Sequence, residues 1–301
     1  MMAHLDRPTA AARSRDRLVT ALGLTAAFFV VEVLGALWTG SLALLADAGH
    51  MLTDVGGTAL ALFAIWIAGR PPTPAKTYGY YRAEILAALV NALVLLVVAG
   101  AVLVEAYRRL WAPPEVLGGP MLAIAVVGLA VNLGCAWLLH AHAATSLNVR
   151  GAYLHALGDA LSSVGVVVAA LVVVATGWTV ADPLASLAIA LIIVPRTWGL
   201  LRQAVNVLLE GTPTHLDLGE IEAAILRVPG VRRVHDLHVW TLTSGREAMS
   251  AHVVVVDVGE SDRLLRELHE VLHAWFGIDH TTIQLETAPP AVLRIQGPNP
   301  V

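Results

Sequence analysis

The amino-acid sequence predicts an α-helical membrane protein, with six transmembrane helices followed by a small cytoplasmic α+β domain. Hydrophobic residues make up 57% of the chain and charged residues only 14%, whereas an average soluble protein has roughly 25% charged residues. Six apolar stretches between positions 18 and 208 are long enough to cross a bilayer, which takes about 20 residues. After Gly211 the composition becomes that of a soluble domain.

Short breaks separate the six predicted helices. We place the helices near 18–38, 42–68, 84–110, 120–144, 151–176 and 183–208. Asp182-Pro183 predicts the start of the sixth helix, because it combines an N-cap acceptor with a proline at the first helical position. The first stretch is too long for the core of a signal peptide and five more follow it, so we interpret it as a retained helix.

Basic residues lie mostly on one side of this arrangement. Eight Lys or Arg side chains fall in the leading segment and the two connections on its side, whereas only Arg108 and Arg109 fall on the other side. Basic residues favour the cytoplasmic side, so both chain ends are predicted to be cytoplasmic. The predicted division is a tail, a transmembrane domain, a cytoplasmic regulatory domain and a second tail: 1–17, 18–210, 211–288 and 289–301.

The soluble part predicts the order αββαβ, as in a ferredoxin-like or metallochaperone-like domain. Its predicted elements are helix 216–227, strands 231–243 and 249–258 turned at Ser244-Gly245, helix 262–276 with Ser261 as N-cap, and strand 281–287. About 80 residues can bury only a modest core, so a second copy of the chain would add stability.

Two spans carry the same pattern of ionisable residues, H-x-x-x-D. The second span has His50 and Asp54, and the fifth has His155 and Asp159. Residues four apart share a helix face, so facing helices would present two imidazoles and two carboxylates, the ligand number and type that zinc accepts. Each such group costs roughly 2.5–3.5 kcal/mol to insert. The sequence predicts a metal site within the membrane; helix packing or a metal-free proton relay is the alternative.

Asp47 belongs to the same helix face as His50 and Asp54. It is a candidate acceptor behind the metal ligands, a proton carrier, or a helix cap. For Glu32, Asn91 and Asn132, which also fall inside predicted spans, we expect hydrogen bonds between helices.

The composition argues against several functional classes. The only cysteine, Cys135, excludes internal disulfides and Cys-based zinc or iron–sulfur sites. A net charge of −4 argues against nucleic-acid binding. No Walker A sequence is present, so an ion gradient should supply any transport energy. His269 to His273 matches H-E-x-x-H, but the small domain offers no obvious cleft or third ligand for a protease.

Several runs resemble the cation diffusion facilitator family. They are Ser41–Asp54, Tyr78–Glu84, Gly151–Gly165, His235–Trp240 and His280–Gln284, and the resemblance spans about residues 18–288. It implies a homodimer in a lipid bilayer that exports zinc in exchange for protons. The two His-Asp pairs resemble the zinc-preferring branch, and the compact length is compatible with a bacterial inner membrane. A zinc sensor without transport, or a transporter of cadmium, cobalt, iron, manganese or nickel, remains an alternative.

The resemblance also implies sites outside the membrane. A cytoplasmic metal site would use His235, His252 and the last strand, where this chain has Gln284 and Glu286. Zinc bound there is expected to regulate the protein by tightening the dimer. Arg82 and Glu210 match positions whose ion pair holds the helix bundle on the cytoplasmic side.

Overall fold

The computed structural model describes residues 10–143, 147–243 and 245–287. Six long helices come first: α1 Ala10–Thr39, α2 Leu42–Ala68, α3 Arg82–Trp111, α4 Gly118–Ala143, α5 Leu147–Thr176 and α6 Ala181–Leu208. Each contains a window apolar enough to cross a membrane, which confirms the six predicted spans. α1 already begins at Ala10, inside the segment predicted as a tail. Segments 1–9 and 289–301, and Ser244 of the predicted turn, lie outside the described residues.

Glycines end two of these helices at the predicted breaks. Gly40 and Gly177 have φ angles of 72° and 71°, a left-handed conformation that a residue without Cβ adopts at no steric cost. Their amides donate back to Ala36 and Val173, at 3.0 and 2.9 Å, and close the last turns of α1 and α5. The chain can therefore reverse sharply between consecutive spans.

The first compact unit comprises the helices up to Ala64 and from Ala87 to Leu201. Its main core lies at the Gly40 end, where α1, α3 and α5 end and α2, α4 and α6 begin. The core is rich in alanine, with the larger side chains of Leu42, Leu44 and Met121 almost completely buried. Small residues let membrane helices approach closely, so this end of the bundle is densely packed. We call the opposite end the Ala68 end.

The second unit joins residues 65–86 to the chain from Arg202 onward. Its further elements are α7 Leu218–Leu226, β1 Val231–Thr243, β2 Arg246–Val255, a 3₁₀ turn Val258–Glu260, α8 Ser261–Phe276 and β3 His280–Glu286. β1 and β2 are antiparallel, and β3 pairs with β2 in parallel, because α8 forms a crossover between them. The predicted αββαβ order is confirmed.

Two local predictions in this unit are wrong in detail. Ser261 is the first residue of α8 rather than its cap, and the preceding Glu260 makes no capping side-chain bond. β2 begins at Arg246 and ends at Val255, three residues earlier than predicted at each end. The side chain of Asp217, in contrast, caps α7 by accepting from the amides of Gly219 and Glu220.

Candidate metal centres

The two H-x-x-x-D patterns converge in the first unit. α2 presents His50 and Asp54, and α5 presents His155 and Asp159; one potential ligand atom from each lies within 4.8 Å of the other three. His50 Nε2 is 3.3 Å from Asp159 Oδ1 and 3.7 Å from Asp54 Oδ2. His155 Nε2 is 3.2 Å from Asp54 Oδ2 and 3.6 Å from Asp159 Oδ2. Each imidazole nitrogen therefore faces both carboxylates.

These separations suit a tetrahedral metal ion. Zinc binds nitrogen and oxygen ligands at about 2.0–2.2 Å, which places neighbouring ligands about 3.3–3.6 Å apart in a tetrahedron. Asp54 Oδ2 and His50 Nδ1 are buried without a hydrogen-bond partner in the part of the chain that the structure describes. Because a lone pair of Asp54 remains uncommitted although His155 is close, the donor set fits coordination better than a simple hydrogen-bonded cluster.

Access to the four residues differs between the two ends of the bundle. A cavity of about 790 Å³ reaches Asp54, His155 and Asp159. Its walls come from the halves of α1 to α5 that lie toward the Ala68 end. Beyond His50, toward the Gly40 end, the void between α2, α3 and α6 measures only about 10 Å³, about the minimum for one water. The four residues are thus reached from the Ala68 end. At the Gly40 end the gap beside His50 is closed, and a cavity of about 810 Å³ lies between α1, α2 and α3, with Gly49 and Val102 but none of the four residues in its described lining.

Asp47 lies beside the cluster without joining it. It is 3% exposed, and its carboxylate accepts hydrogen bonds from Ser162 at 2.9 Å and Ser163 at 3.4 Å. Asn132 donates to Ser163 Oγ at 3.0 Å. These bonds connect α2, α5 and α4, in agreement with the interhelical bonding expected for Asn132. Asp47 caps no helix end, since it lies inside α2 and its partners belong to α5.

The sequence reasoning missed the partners of Asp182. This residue lies inside the first turn of α6 instead of capping it, and its side chain is fully buried. The carboxylate accepts from Ser41 Oγ at 2.6 Å and from the amides of Leu42 and Ala43 at 2.7 and 3.0 Å. Asp182 therefore caps α2 from another helix. The Asp182-Pro183 pair indicates that a helix cap is present, but it does not indicate which helix is capped.

A second cluster forms on the three-stranded sheet. His235 is paired with His252 across β1 and β2, and His252 with Gln284 across β2 and β3. Glu286 Oε2 lies 3.1 Å from His235 Nε2, and Glu286 Oε1 lies 2.8 Å from His252 Nδ1. The structure thus brings together the three residues that the resemblance implied. Gln284 donates to Glu286 Oε1 at 2.8 Å and orients it.

The charge state of Glu286 suits a metal ligand. Burial alone would raise the pKa of its carboxyl, but hydrogen bonds with His235 and His252 outweigh this effect and leave the pKa below its usual value. Glu286 is therefore ionised at neutral pH, as a carboxylate ligand has to be.

His238 takes no part in this cluster. The pairing of β1 and β2 shifts between His235 and His238, where Asp236 has a φ of 51°. Strict alternation of side chains along a strand does not apply across such a bulge. His238 instead contacts Asp236 at 3.1 Å and stays largely exposed.

The remaining sequence candidates are exposed. Arg82 Nη2 lies 2.8 Å from Glu210 Oε1, so this expected ion pair is present within the second unit. In the H-E-x-x-H run, His273 pairs with Asp279 at 2.5 Å and the His269 ring stacks on that of His273. Among the described residues, this run belongs to neither of the two metal-competent groups, which argues further against a protease.

Comparison with known proteins agrees with both halves of the chain. Residues 18–209 match the family described as "Cation efflux transmembrane domain", and residues 213–288 match "Cation efflux protein, cytoplasmic domain". The zinc transporter ZitB of Escherichia coli is 45% identical over 96% of this chain and 94% of its own. The metal cation efflux system protein CzcD of Cupriavidus metallidurans is 47% identical over 94% of this chain and 89% of its own.

A third relative carries a different description. The cadmium, cobalt and zinc/H(+)-K(+) antiporter of Bacillus subtilis is 41% identical over 86% of this chain and 85% of its own. The family match covers most of the chain, and the six apolar helices fit a multi-pass membrane protein. The chain is an integral membrane protein of the cation efflux, or cation diffusion facilitator, family of cation transporters.

Proposed function

We propose that this protein exports divalent metal ions, zinc foremost, from the cytoplasm in exchange for protons, and that the ion binds to His50, Asp54, His155 and Asp159. The observation that carries the proposal is the set of four His–Asp separations of 3.2–3.7 Å, which correspond to the edges of a tetrahedron of ligands. Two His-Asp pairs that served only helix packing would not need the spacing of a tetrahedral ligand set.

The ligand types favour zinc over manganese. Imidazole suits zinc, cobalt and nickel, whereas manganese prefers oxygen ligands alone. Two similar proteins are described as transporting zinc, and one of them also cadmium and cobalt. Cobalt and cadmium are therefore the strongest competitors for the same site.

Proton exchange follows from the chemistry of the ligands. A histidine binds metal only when its imidazole is neutral, and imidazole takes up a proton near pH 6.5. Protons arriving at His50 and His155 release the ion, and a new ion displaces protons. Exchange becomes antiport when the site opens alternately to the two sides. The description of the Bacillus relative as an antiporter supports this step.

The side from which the cavity opens sets the direction. The matched family description names the part that follows α6 as a cytoplasmic domain. α6 begins at the Gly40 end and runs toward the opposite end of the bundle. We therefore assign the Ala68 end to the cytoplasm, the Gly40 end to the outer face and both chain ends to the cytoplasm. The cavity of about 790 Å³ then gives cytoplasmic zinc direct access to the four ligands.

The cytoplasmic cluster is a regulatory site in this proposal. His235, His252 and Glu286 offer three ligands, one short of the number that closes a structural zinc site. A fourth ligand from water or from a second copy of the chain would complete it. Zinc would then bind at high cytoplasmic concentration and stabilise a homodimer through these domains.

Transport distinguishes this proposal from a zinc sensor. Purified protein in liposomes with an internal pH dye should take up zinc while protons leave, and Asp159→Asn should do neither. Thr58→Val is the matched control: Thr58 lines the same cavity, and its hydroxyl donates to the main-chain carbonyl of Asp54 rather than to the carboxylate. Tight zinc binding without uptake by the unaltered protein would overturn the proposal and favour a sensor.

A further inference from the structure

We infer that Asp182, with Ser41 and Arg109, forms an outer clasp that holds the outer end of the transport path closed while the site faces the cytoplasm. This inference rests on the proposed function. It assigns Asp182 as a positioning residue for transport, acting on the position of α2 rather than on the ion.

The clasp joins three helices at the Gly40 end. Asp182 on α6 receives three hydrogen bonds from the start of α2. Arg109 on α3 donates to the carbonyl of Gly40 at 2.5 Å and places the same Nη1 atom 3.9 Å from Asp182 Oδ2. Glu105 holds the other side of the guanidinium, 3.0 Å from Arg109 Nε. A buried carboxylate is thus balanced by a nearby cation and three donors.

Part of the N-terminal cap of α2 comes from a different helix. The first amides of a helix lack intrahelical partners and are commonly satisfied by a side chain from the same segment. Ser41 Oγ caps the amide of Leu44 in this ordinary way, at 3.2 Å. The acceptor for the amides of Leu42 and Ala43 comes from α6, so these two bonds form only when the starts of α2 and α6 touch. These hydrogen bonds therefore hold the starts of the two helices together and break when the helices separate.

The clasp sits where the path has to open. Next to it lies the small-residue core of the Gly40 end, and between that core and His50 the void is only about 10 Å³. Helix α2 carries both the clasp amides and two of the proposed ligands. The gap beside His50 opens toward the outer face when α2 separates from α3 and α6, which breaks the bonds to Asp182. The larger cavity at this end lies between α1, α2 and α3, and none of the four ligands is in its described lining.

Thiol labelling tests this directly, because the chain has a single cysteine. Cys135 lines the cytoplasmic cavity. In Asp182→Asn, methanethiosulfonate reagent added from the cytoplasmic side should modify Cys135 more slowly than in the unaltered protein. In a Cys135→Ala background, Ala190→Cys places a probe in the closed gap between α2, α3 and α6. Reagent from the outer side should modify it about tenfold faster when Asp182 is Asn, equivalent to about 1.4 kcal/mol.

The controls separate gating from general damage. Thr197→Val removes a buried hydroxyl of α6 that donates to the carbonyl of Ile193 in the same helix, and it should change neither labelling rate. Zinc affinity in detergent should stay within about threefold in Asp182→Asn, because the four ligands are untouched. Ser41→Ala removes one donor to Asp182, together with the cap on the Leu44 amide, and leaves the carboxylate in place. It should shift both labelling rates in the same direction as Asp182→Asn but by less, and it tests the clasp by itself if Asp182→Asn does not fold.

The outcomes are distinct. Unchanged labelling in both clasp variants, with normal zinc transport by the unaltered protein, overturns the clasp and leaves the proposed function standing. Equal acceleration from both sides would mean loosened packing and also overturns it. Opposite changes at the two probes, with zinc affinity retained, support it. Absence of zinc transport by the unaltered protein overturns the proposed function itself, and the clasp with it.

Discussion

Ser162 donates a hydrogen bond to Asp47 across 2.9 Å and so ties α5 to α2, about one turn from the proposed ligands of each helix. Both helices contribute one His-Asp pair, and the tetrahedral separations require their registers to match. A bond between buried polar groups fixes that register more firmly than apolar contacts alone, because breaking it leaves both groups unsatisfied. Asp47 is therefore suited to position the site without touching the ion.

Substitutions at Asp47 should separate positioning from proton transfer. Asp47→Asn keeps an acceptor for Ser162, so we expect zinc affinity within about threefold of the unaltered protein. Asp47→Ala removes the acceptor and should weaken zinc binding about tenfold, the lower end of effects seen for groups behind metal ligands. Calorimetric titration with zinc measures both. Normal zinc binding with loss of proton exchange in Asp47→Asn would instead identify Asp47 as a proton carrier.

Asp159→Asn and Asp54→Asn should each reduce zinc transport by at least about a hundredfold. Each removes one negative ligand and leaves an amide that binds zinc poorly, and each neutralises a charge that both imidazoles face. Zinc flux into liposomes measures the effect. Thr58→Val again provides the control, because it leaves all four proposed ligands and the bonds to Asp47 in place. Near-normal flux in either Asp variant contradicts the assignment of the site.

The parts of this protein that depend on local rules could be predicted from its sequence. Helix periodicity puts His50 and Asp54 on one face whatever surrounds them, and span length follows from bilayer thickness. The partners of Asp182 could not be predicted, since an Asp before a proline is equally suited to cap its own helix. The bulge at Asp236 could not be predicted for a similar reason, because the alternation of side chains along a strand assumes regular pairing with its neighbour.

The same distinction applies to the cytoplasmic cluster. The positions of His235, His252 and Glu286 came from a resemblance, not from spacing, because strand register decides which residues of three strands meet. The observed register aligns His252 with both His235 and Gln284. It also shows what Gln284 does in this chain: its side-chain amide donates to Glu286 Oε1 and orients that carboxylate.

Gln284→His should strengthen zinc binding in the cytoplasmic domain. The new imidazole would lie beside His252 in the register and add the ligand that the cluster lacks. We expect about a tenfold gain in affinity, or about 1.4 kcal/mol. It is measured by calorimetry in the full chain carrying Asp159→Asn, which removes the competing membrane site. Thr282→His, on the same strand but opposite Ser250, should give no gain; an equal gain there would contradict the reasoning.

Loss of the Arg82–Glu210 pair should destabilise the protein only slightly. Both side chains are well exposed, and exposed ion pairs contribute about 0–1 kcal/mol. Other bonds also hold the start of α3 within the second unit: Thr243 donates to Glu84 at 2.5 Å, and Arg246 to the Tyr81 hydroxyl at 2.8 Å. A double-mutant cycle with Arg82→Gln and Glu210→Gln, followed by thermal unfolding, should give a coupling below about 1 kcal/mol. A larger coupling energy would mean that the Arg82–Glu210 pair, rather than the other bonds, holds the start of α3 within the second unit.

Zinc binding at the cytoplasmic cluster should weaken as the pH falls. His235 and His252 must be neutral to bind zinc, because a protonated imidazole has no free lone pair for the metal. Protons compete with zinc for both rings, so the zinc affinity should fall as the pH is lowered, by up to about 100-fold per pH unit. Glu286 adds nothing over this range, since its lowered pKa keeps it ionised. Zinc titrations of the Asp159→Asn chain between pH 5 and 8 measure the slope. A flat profile down to about pH 5 would mean that the two imidazoles are not the ligands, whereas half the slope in His235→Ala would identify its proton as one of the two released.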